Sequence, residues 1–248
     1  MTEPRLKRHV DLRVATYNIH RCRGMDRRTV PVRVTEVLRE INADVAALQE
    51  VIGAGPNGAG QAEEIGAALG MGWVMTSVRH LRNHLFGNVV LSRLPIVHHS
   101  HYDLSWRTCE PRACQRADLD VGAGQLLHIY NVHLGTAVLE RRYQARRLAS
   151  YVHDRRVEGP KVILGDFNEW MRGQVTKTLS ALFDSIDIYK HLQRRRTYPG
   201  IFPVVHLDHI YYEGLVEVRG VELHRSRTAL MASDHLPLVA NLRIGFDE

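Results

Sequence analysis

Short apolar runs of β type recur from one end of the chain to the other, and polar residues capable of chemistry stand where several of them stop. The runs cover residues 13–17, 44–48, 73–77, 88–91, 96–104, 116–120, 126–132, 161–164, 207–212, 216–223 and 236–242. Helical periodicity is confined to 32–41, 61–69 and 140–156. The last of these places Tyr143, Leu148 and Val152 inside and its arginines outside. So many strands exceed the needs of one parallel sheet between helices, and the closely spaced runs over 73–132 read as antiparallel. The pattern predicts an α/β chain of two packed, mainly antiparallel sheets with helices outside. Because the polar strand ends span positions 18 to 235, a single domain is expected over 12–248, after an N-terminal extension at 1–11.

Composition removes several alternatives. With 248 residues and 44% hydrophobic content the chain can bury a substantial core. No segment approaches the ~20 apolar residues that span a bilayer, since even 87–97 is interrupted by Ser92 and Arg93. The polar start carries no signal-peptide pattern, so a cytoplasmic location is expected. Three cysteines, Cys22, Cys109 and Cys114, lack metal-type spacing and fit neither a disulfide framework nor a zinc finger. The net charge is +6, and the 33 cationic side chains are 29 Arg and 4 Lys. Guanidinium groups suit phosphate, because their planar donor fork matches an oxyanion.

The chemical residues form short units. Gly165-Asp166-Phe167-Asn168 sets a carboxylate and a carboxamide two apart after a strand, an arrangement that also suits a helix-capping turn. Leu207-Asp208-His209 and Ser233-Asp234-His235 are acid–imidazole dipeptides. Leu48-Gln49-Glu50 ends a run on an acid, and Thr16-Tyr17-Asn18 ends one on an amide. In Asn131-Val132-His133, strand alternation places Asn and His on one face. The glycine-rich 53–60 stretch is no Walker loop, because no Gly-Lys-Ser/Thr follows it.

Taken in order, Asn18, Glu50, His133, Asp166 with Asn168, Asp208, and Asp234 with His235 resemble the endonuclease/exonuclease/phosphatase superfamily, the DNase I-like fold. The segments 87–96, 110–117 and 196–199 are similar to that family as well. The resemblance implies a four-layer α/β/β/α sandwich and metal-assisted hydrolysis of a phosphate ester. It implies Glu50 and Asn18 as ligands of Mg²⁺ or Mn²⁺, and Asp166 as the group that orients or deprotonates the attacking water, with Asn168 beside it. His235, held by Asp234, would contact phosphoryl oxygens; His133, held by Asp208, would be a second histidine. A carboxylate on each ring would raise its pKa and favour the imidazolium. Arg112 and Asn88 are carried over as substrate-binding residues, although Cys114-Gln115 departs from the family's pattern.

Two substrate classes follow from the residues around these units. Basic runs at Arg141-Arg142, Arg146-Arg147 and Arg194-Arg195-Arg196 would suit a nuclease acting on DNA or RNA. Apolar residues beside the motifs, Trp170-Met171 and Tyr198 to Pro203, would form a lip for a small or lipid-type phosphodiester, with peripheral contact to a membrane. The second class is the expectation. A phosphate-binding module without catalysis is a further alternative, against which the full set of acids and histidines argues.

Overall fold

The computed structural model describes residues 9–56, 58–171, 173–186, 191–192, 196–199 and 205–246. Twelve strands in this set form two six-stranded sheets. The first contains β1 (His9–Asn18), β2 (Val45–Ile52), β3 (Gly72–Leu81), β4 (His84–Ser92), β11 (Val216–Leu223) and β12 (Leu238–Gly245), in the order β11-β12-β1-β2-β4-β3. The second contains β5 (Ile96–Asp103), β6 (Ala113–Asp120), β7 (Leu126–His133), β8 (Lys161–Asp166), β9 (Asp184–Ser185) and β10 (Asp208–Glu213), in the order β5-β6-β7-β8-β10-β9. Among the described residues five α-helices accompany them: α1 (Pro31–Ile41), α2 (Gln61–Leu69), α3 (Val138–Val152), α4 (Gln174–Ser180) and α5 (Arg227–Ala232).

Three apolar clusters separate four layers. Between the sheets, Leu12 and Val14 of β1 meet Leu127 and Ile129 of β7, Val162 and Leu164 of β8, and Leu238, Ala240 and Leu242 of β12. The alternate residues Ala15, Tyr17, Ala46, Leu48, Val89 and Leu91 face outward against Val34, Val37 and Ile41 of α1 and Ile65 of α2. On the other side Tyr130, Val132, Ile163 and Phe167 pack against Ala145, Leu148 and Val152 of α3. Both faces of each central sheet are thus buried, which explains why the central runs read as continuously apolar. The architecture is the expected α/β/β/α sandwich.

The local signals act as their chemistry dictates. Pro31 opens α1 at a position where a missing N–H is tolerated, and Asn42 ends it in the left-handed region at φ 55°. Ser226 caps α5 by accepting from the Ala229 N–H at 3.0 Å. Residues His9 to Asp11, expected in an N-terminal extension, are the first residues of β1; Met1 to Arg8 lie outside the described residues. The third helix ends at Val152 rather than near 156, and its arginines do not all face outward. Arg141 is buried, with its guanidinium donating to the Gly135 and Thr136 carbonyls.

Two strand pairs run parallel, β1 with β2 and β7 with β8, and each lies at the centre of its sheet. Their carboxyl ends open onto one edge of the sandwich, where a rigid backbone meets solvent-accessible loops.

Candidate active site

On the faces turned toward each other, every central strand changes from apolar to polar as it nears that edge. In β1 the sequence of inward positions is Leu12, Val14, Thr16, Asn18; in β7 it is Leu127, Ile129, Asn131, His133; in β8 it is Val162, Leu164, Asp166. Register then aligns the ends: His133 lies opposite Asp166, and Asp166 opposite Asp208, in one row across the second sheet. Beneath that row, buried amides join the sheets. The Gln49 amide donates to Asn131 Oδ1 at 2.8 Å and to Thr16 Oγ1 at 3.2 Å, while Asn131 Nδ2 donates to the Leu48 and Val89 carbonyls and to Gln115 Oε1.

Asp166 is the hub. Its Oδ2 accepts from Asn18 Nδ2 at 3.1 Å and lies 3.6 Å from His235 Nε2 and 3.7 Å from His133 Nε2. Its Oδ1 accepts from the Asn168 backbone N–H at 2.9 Å. Gly165 permits the strand to pass there, since a Cβ at φ 153° would come within 1.9 Å of the Val132 carbonyl oxygen. Asn168, at φ 52°, donates from Nδ2 to the Leu134 carbonyl at 2.8 Å and so joins the loops after β7 and β8. Burial raises the Asp166 carboxyl to about 6, outweighing the opposing pull of His235, Asn18 and Asn168.

The first sheet brings the rest. Glu50 sits in a break of the β2–β4 register at φ 55°, and its Oε1 accepts from Asn18 Nδ2 at 3.1 Å. Strained backbone of this kind in a non-glycine residue concentrates at functional positions. Ser233 Oγ donates to the Asn18 carbonyl at 2.7 Å, docking the loop before β12 onto the end of β1. That loop delivers His235, whose Nδ1 lies 3.2 Å from Asp208 Oδ2.

The two histidines differ from the expected pairing. His235 is held by Asp208, not by Asp234, because adjacent side chains on an extended segment point apart. Asp234 instead lies 3.4 Å from His20 Nδ1, and His20 Nε2 faces Arg21 at 2.6 Å. Among the described residues no carboxylate meets His133 Nδ1. Arg112 Nη1 lies 2.9 Å from that nitrogen, and a guanidinium can only donate, so Nδ1 is the acceptor and Nε2 carries the hydrogen. Burial, followed by the Arg112 and His235 charges, pushes His133 well below its ordinary value and keeps it neutral. His235 moves the other way, to about 10: burial opposes its charge, but Asp208 and Asp166 overcome it. The expectation of two imidazolium rings is therefore corrected to one.

Of the remaining expected residues, Arg112 is buried as the partner of His133 and of Glu110, whose Oε2 it meets at 2.8 Å. Asn88 is buried on the inward face of β4 and donates to the Ala113 carbonyl at 3.4 Å. Sequence reading missed His20, Arg21 and Gln115 as neighbours of the site. Only the amide within Leu48-Gln49-Glu50 and the Asn131-His133 alternation hinted at the polar floor.

Oxygen donors converge here without a closed cage: among the described residues no three His, Cys, Asp or Glu side chains form a metal cluster. Glu50 is partly exposed and Asn18 lies buried beside it, and buried Asp208 keeps its Oδ1 without a hydrogen-bond partner among the described residues. Asp208, Asp166 and Asp234 gather around the His235 imidazolium, and Glu50 joins the same cluster through Asn18. This hard, negatively charged donor set fits a divalent cation that retains several waters.

A family model described as the Endonuclease/Exonuclease/phosphatase family matches residues 15–235. The chain belongs to that family. It is 29% identical to the YbhP protein of Escherichia coli (strain K12) over 252 residues, an alignment covering 94% of this chain and 96% of YbhP. Its fold is similar to that of an endonuclease/exonuclease/phosphatase from Bacteroides vulgatus, with a TM-score of 0.76 and 19% identity over 95% of this chain and 99% of the other. A mannosyl-6-phosphatase of Bacteroides thetaiotaomicron superposes with a TM-score of 0.69 and 17% identity, over 93% of this chain and 99% of its own.

Proposed function

We propose that this family member hydrolyses a phosphodiester of a small or lipid-type substrate with the help of a bound Mg²⁺ or Mn²⁺ ion. The observation that carries the reading is the environment of Asp166 Oδ2, a buried acceptor facing three N–H donors within 3.7 Å. A base and the donors that stabilise the charge it creates share one site. Glu50 and Asn18 would hold the cation, which supplies positive charge to the phosphoryl oxygens when bound.

The protein's own groups divide the remaining work. Asp166 orients the attacking water and takes its proton as the new bond to phosphorus forms. His133 and His235 present Nε2–H groups to the oxygens that gain negative charge. When the ester bond to the leaving oxygen breaks, His235 supplies the proton: it returns to a neutral imidazole, whereas His133 would have to become an anion. Asp208 keeps the His235 ring charged and aimed.

Substrate class is argued from the rim. Trp170 and Met171, just beyond Asn168, are 63% and 83% exposed, and Val138 and Leu139 at the start of α3 are exposed too. The Asn168 to Leu134 hydrogen bond ties these two segments side by side, so an apolar lip borders the His133 edge. Ile201, Phe202 and Pro203 of the expected lip, and Arg194 and Arg195 of the expected basic run, lie outside the described residues. The nuclease reading loses two of its cations. Arg141 is buried, and Arg147 stacks on Tyr102 with its guanidinium carbon 4.7 Å from the ring centroid. A small phosphorylated substrate also agrees with the activity named for the Bacteroides thetaiotaomicron neighbour.

Parallel assays on phospholipid vesicles, bis(p-nitrophenyl) phosphate, plasmid DNA and RNA, each with Mg²⁺ and with EDTA, test the reading. Cation-dependent turnover of the first two without nicking of plasmid is expected. Nicking of plasmid with inert phospholipid would replace it by the nuclease reading, and equal rates in EDTA would remove the cation.

A further inference from the structure

We propose that a basic pocket beside Glu50 receives a second phosphate group carried by the substrate, so that the preferred phosphodiester has a phosphorylated headgroup. The inference rests on the phosphoesterase reading and specifies its substrate. Three separately anchored segments build the pocket. A 3₁₀ turn, His20–Cys22, follows β1; the loop beyond it closes through an Arg23–Thr29 bridge; and Arg82 and Asn83 form the tight turn between β3 and β4, at φ 50° and 67°. Together they set Arg21, Arg23, Arg27, Arg82 and His84 around a cavity of about 420 Å³.

Several arginines elsewhere on the surface are neutralised by an acid, and three of the arginines lining this pocket are not. Arg33, Arg156 and Arg243 each have an acid within 2.8 Å. Among the described residues no carboxylate lies within 4 Å of Arg23, Arg27 or Arg82. Asp26, the acid of the same loop, is turned to Arg33. Guanidinium groups converging on one concavity repel one another, and a polyanion removes that repulsion while filling their donor forks.

Arg21 joins this pocket to the catalytic cluster. It lines the cavity, and its Nε lies 3.7 Å from Glu50 Oε2. From there Asn18 bridges Glu50 to Asp166 through contacts of 3.1 Å each. A substrate reacting at Asp166 would thus extend one arm over Glu50 into the arginines, while its other arm meets Trp170 and Met171 in the loop after β8. A cavity bounded by two turns suits one phosphorylated headgroup, not a continuous polymer backbone.

The test has a binding arm and a turnover arm. Inorganic pyrophosphate is titrated calorimetrically, in EDTA, into the wild type, an Arg23→Ala/Arg82→Ala double variant and Arg27→Ala, with circular dichroism confirming the fold of each. The double variant should bind at least ~10-fold more weakly, as expected for lost charge-assisted hydrogen bonds, and Arg27→Ala should show a smaller loss in the same direction. With Mg²⁺, diester cleavage of dihexanoyl-phosphatidylglycerol phosphate is compared with that of dihexanoyl-phosphatidylglycerol and of a DNA oligonucleotide. The wild type should favour the phosphorylated headgroup, and the double variant should lose that preference by ~10-fold. Equal pyrophosphate affinity in all three proteins overturns the pocket, as does arginine dependence seen only on the oligonucleotide. If no diester is cleaved but pyrophosphate binding still needs the arginines, the proposed reaction falls and the phosphate pocket stands.

Discussion

Among the described residues two buried histidines, His128 and His235, are hydrogen-bonded to an aspartate, and only the first of these pairs is complete. His128 Nδ1 lies 2.7 Å from Asp118 Oδ1 and its Nε2 2.7 Å from the Glu158 carbonyl, while Arg116 donates to both Asp118 oxygens at 2.7 Å. Both ring nitrogens and both carboxylate oxygens of that pair are engaged. At the other end of the strands, His235 holds Asp208 at 3.2 Å, its Nε2 stops 3.6 Å short of Asp166, and Asp208 Oδ1 has no partner among the described residues. The same two residue types therefore serve as an anchor in one place and as a loaded but unfinished network in the other. Buried polar groups left wanting partners are tolerated where a ligand completes them.

Substitutions should separate the two. Asp166→Asn and His235→Ala are expected to lower kcat by ~10³-fold in the protein that remains folded, because each removes a group that acts on the reaction. Steady-state assays beside circular dichroism check this, and a folded His235→Ala protein with full turnover would erase the distinction. Asp118→Asn should do the reverse, lowering stability by about 3–5 kcal/mol as expected for breaking a buried pair, with unchanged kcat below the unfolding temperature. Urea melts provide the measurement.

A subtler contrast concerns Arg112. Replacing it with Met removes the charge on Nδ1 of His133, so the imidazole, now depressed by burial and by Arg112, should titrate closer to its ordinary value by NMR. Turnover should fall ~10-fold as the ring loses its fixed tautomer. An unmoved His133 resonance would show that burial alone sets its state.

The smallest differences lie in pH dependence, and the signs are opposite. Burial tends to raise the Asp118 carboxyl, but His128 and Arg116 outweigh it and hold it below 3.8. Its contribution to stability is present above pH 3.8 and fades as pH falls through the lower folded value. His235, raised to about 10 in the folded state from 6.5, stabilises fully below pH 6.5 and loses that contribution as pH rises through about 10. Urea melts in EDTA should show the gap between wild type and His235→Gln closing on the alkaline side, and that for Asp118→Asn closing on the acid side.

Much of this architecture was legible because strand signals are local. Continuous apolar runs mark β1, β7 and β8, and a polar residue at the end of such a run marks the open edge. Partnership was not legible. Asp208-His209 and Asp234-His235 look like ready-made pairs, yet His209 lies against the Phe167 ring, with centroids 5.7 Å apart, and His235 reaches back 27 positions to Asp208. The pair that is most completely bonded, Asp118 with His128, has no dipeptide signature, since neighbouring strands create it by register. Helices α4 and α5, at seven and six residues, are too short for periodicity to declare them.

The amide layer under the catalytic row has a mechanical consequence. Asn18, Glu50 and His235 ride on one sheet and His133, Asp166 and Asp208 on the other, and among the described residues no main-chain ladder couples the two. Greasy contacts between such slabs are directionless and would let them slide past each other by fractions of an ångström. The Gln49–Asn131 link works like a dowel between two boards, fixing the alignment at the one depth where misalignment would separate the water-activating acid from its donors. Leucine there would keep the sandwich glued and leave its cutting edges out of true.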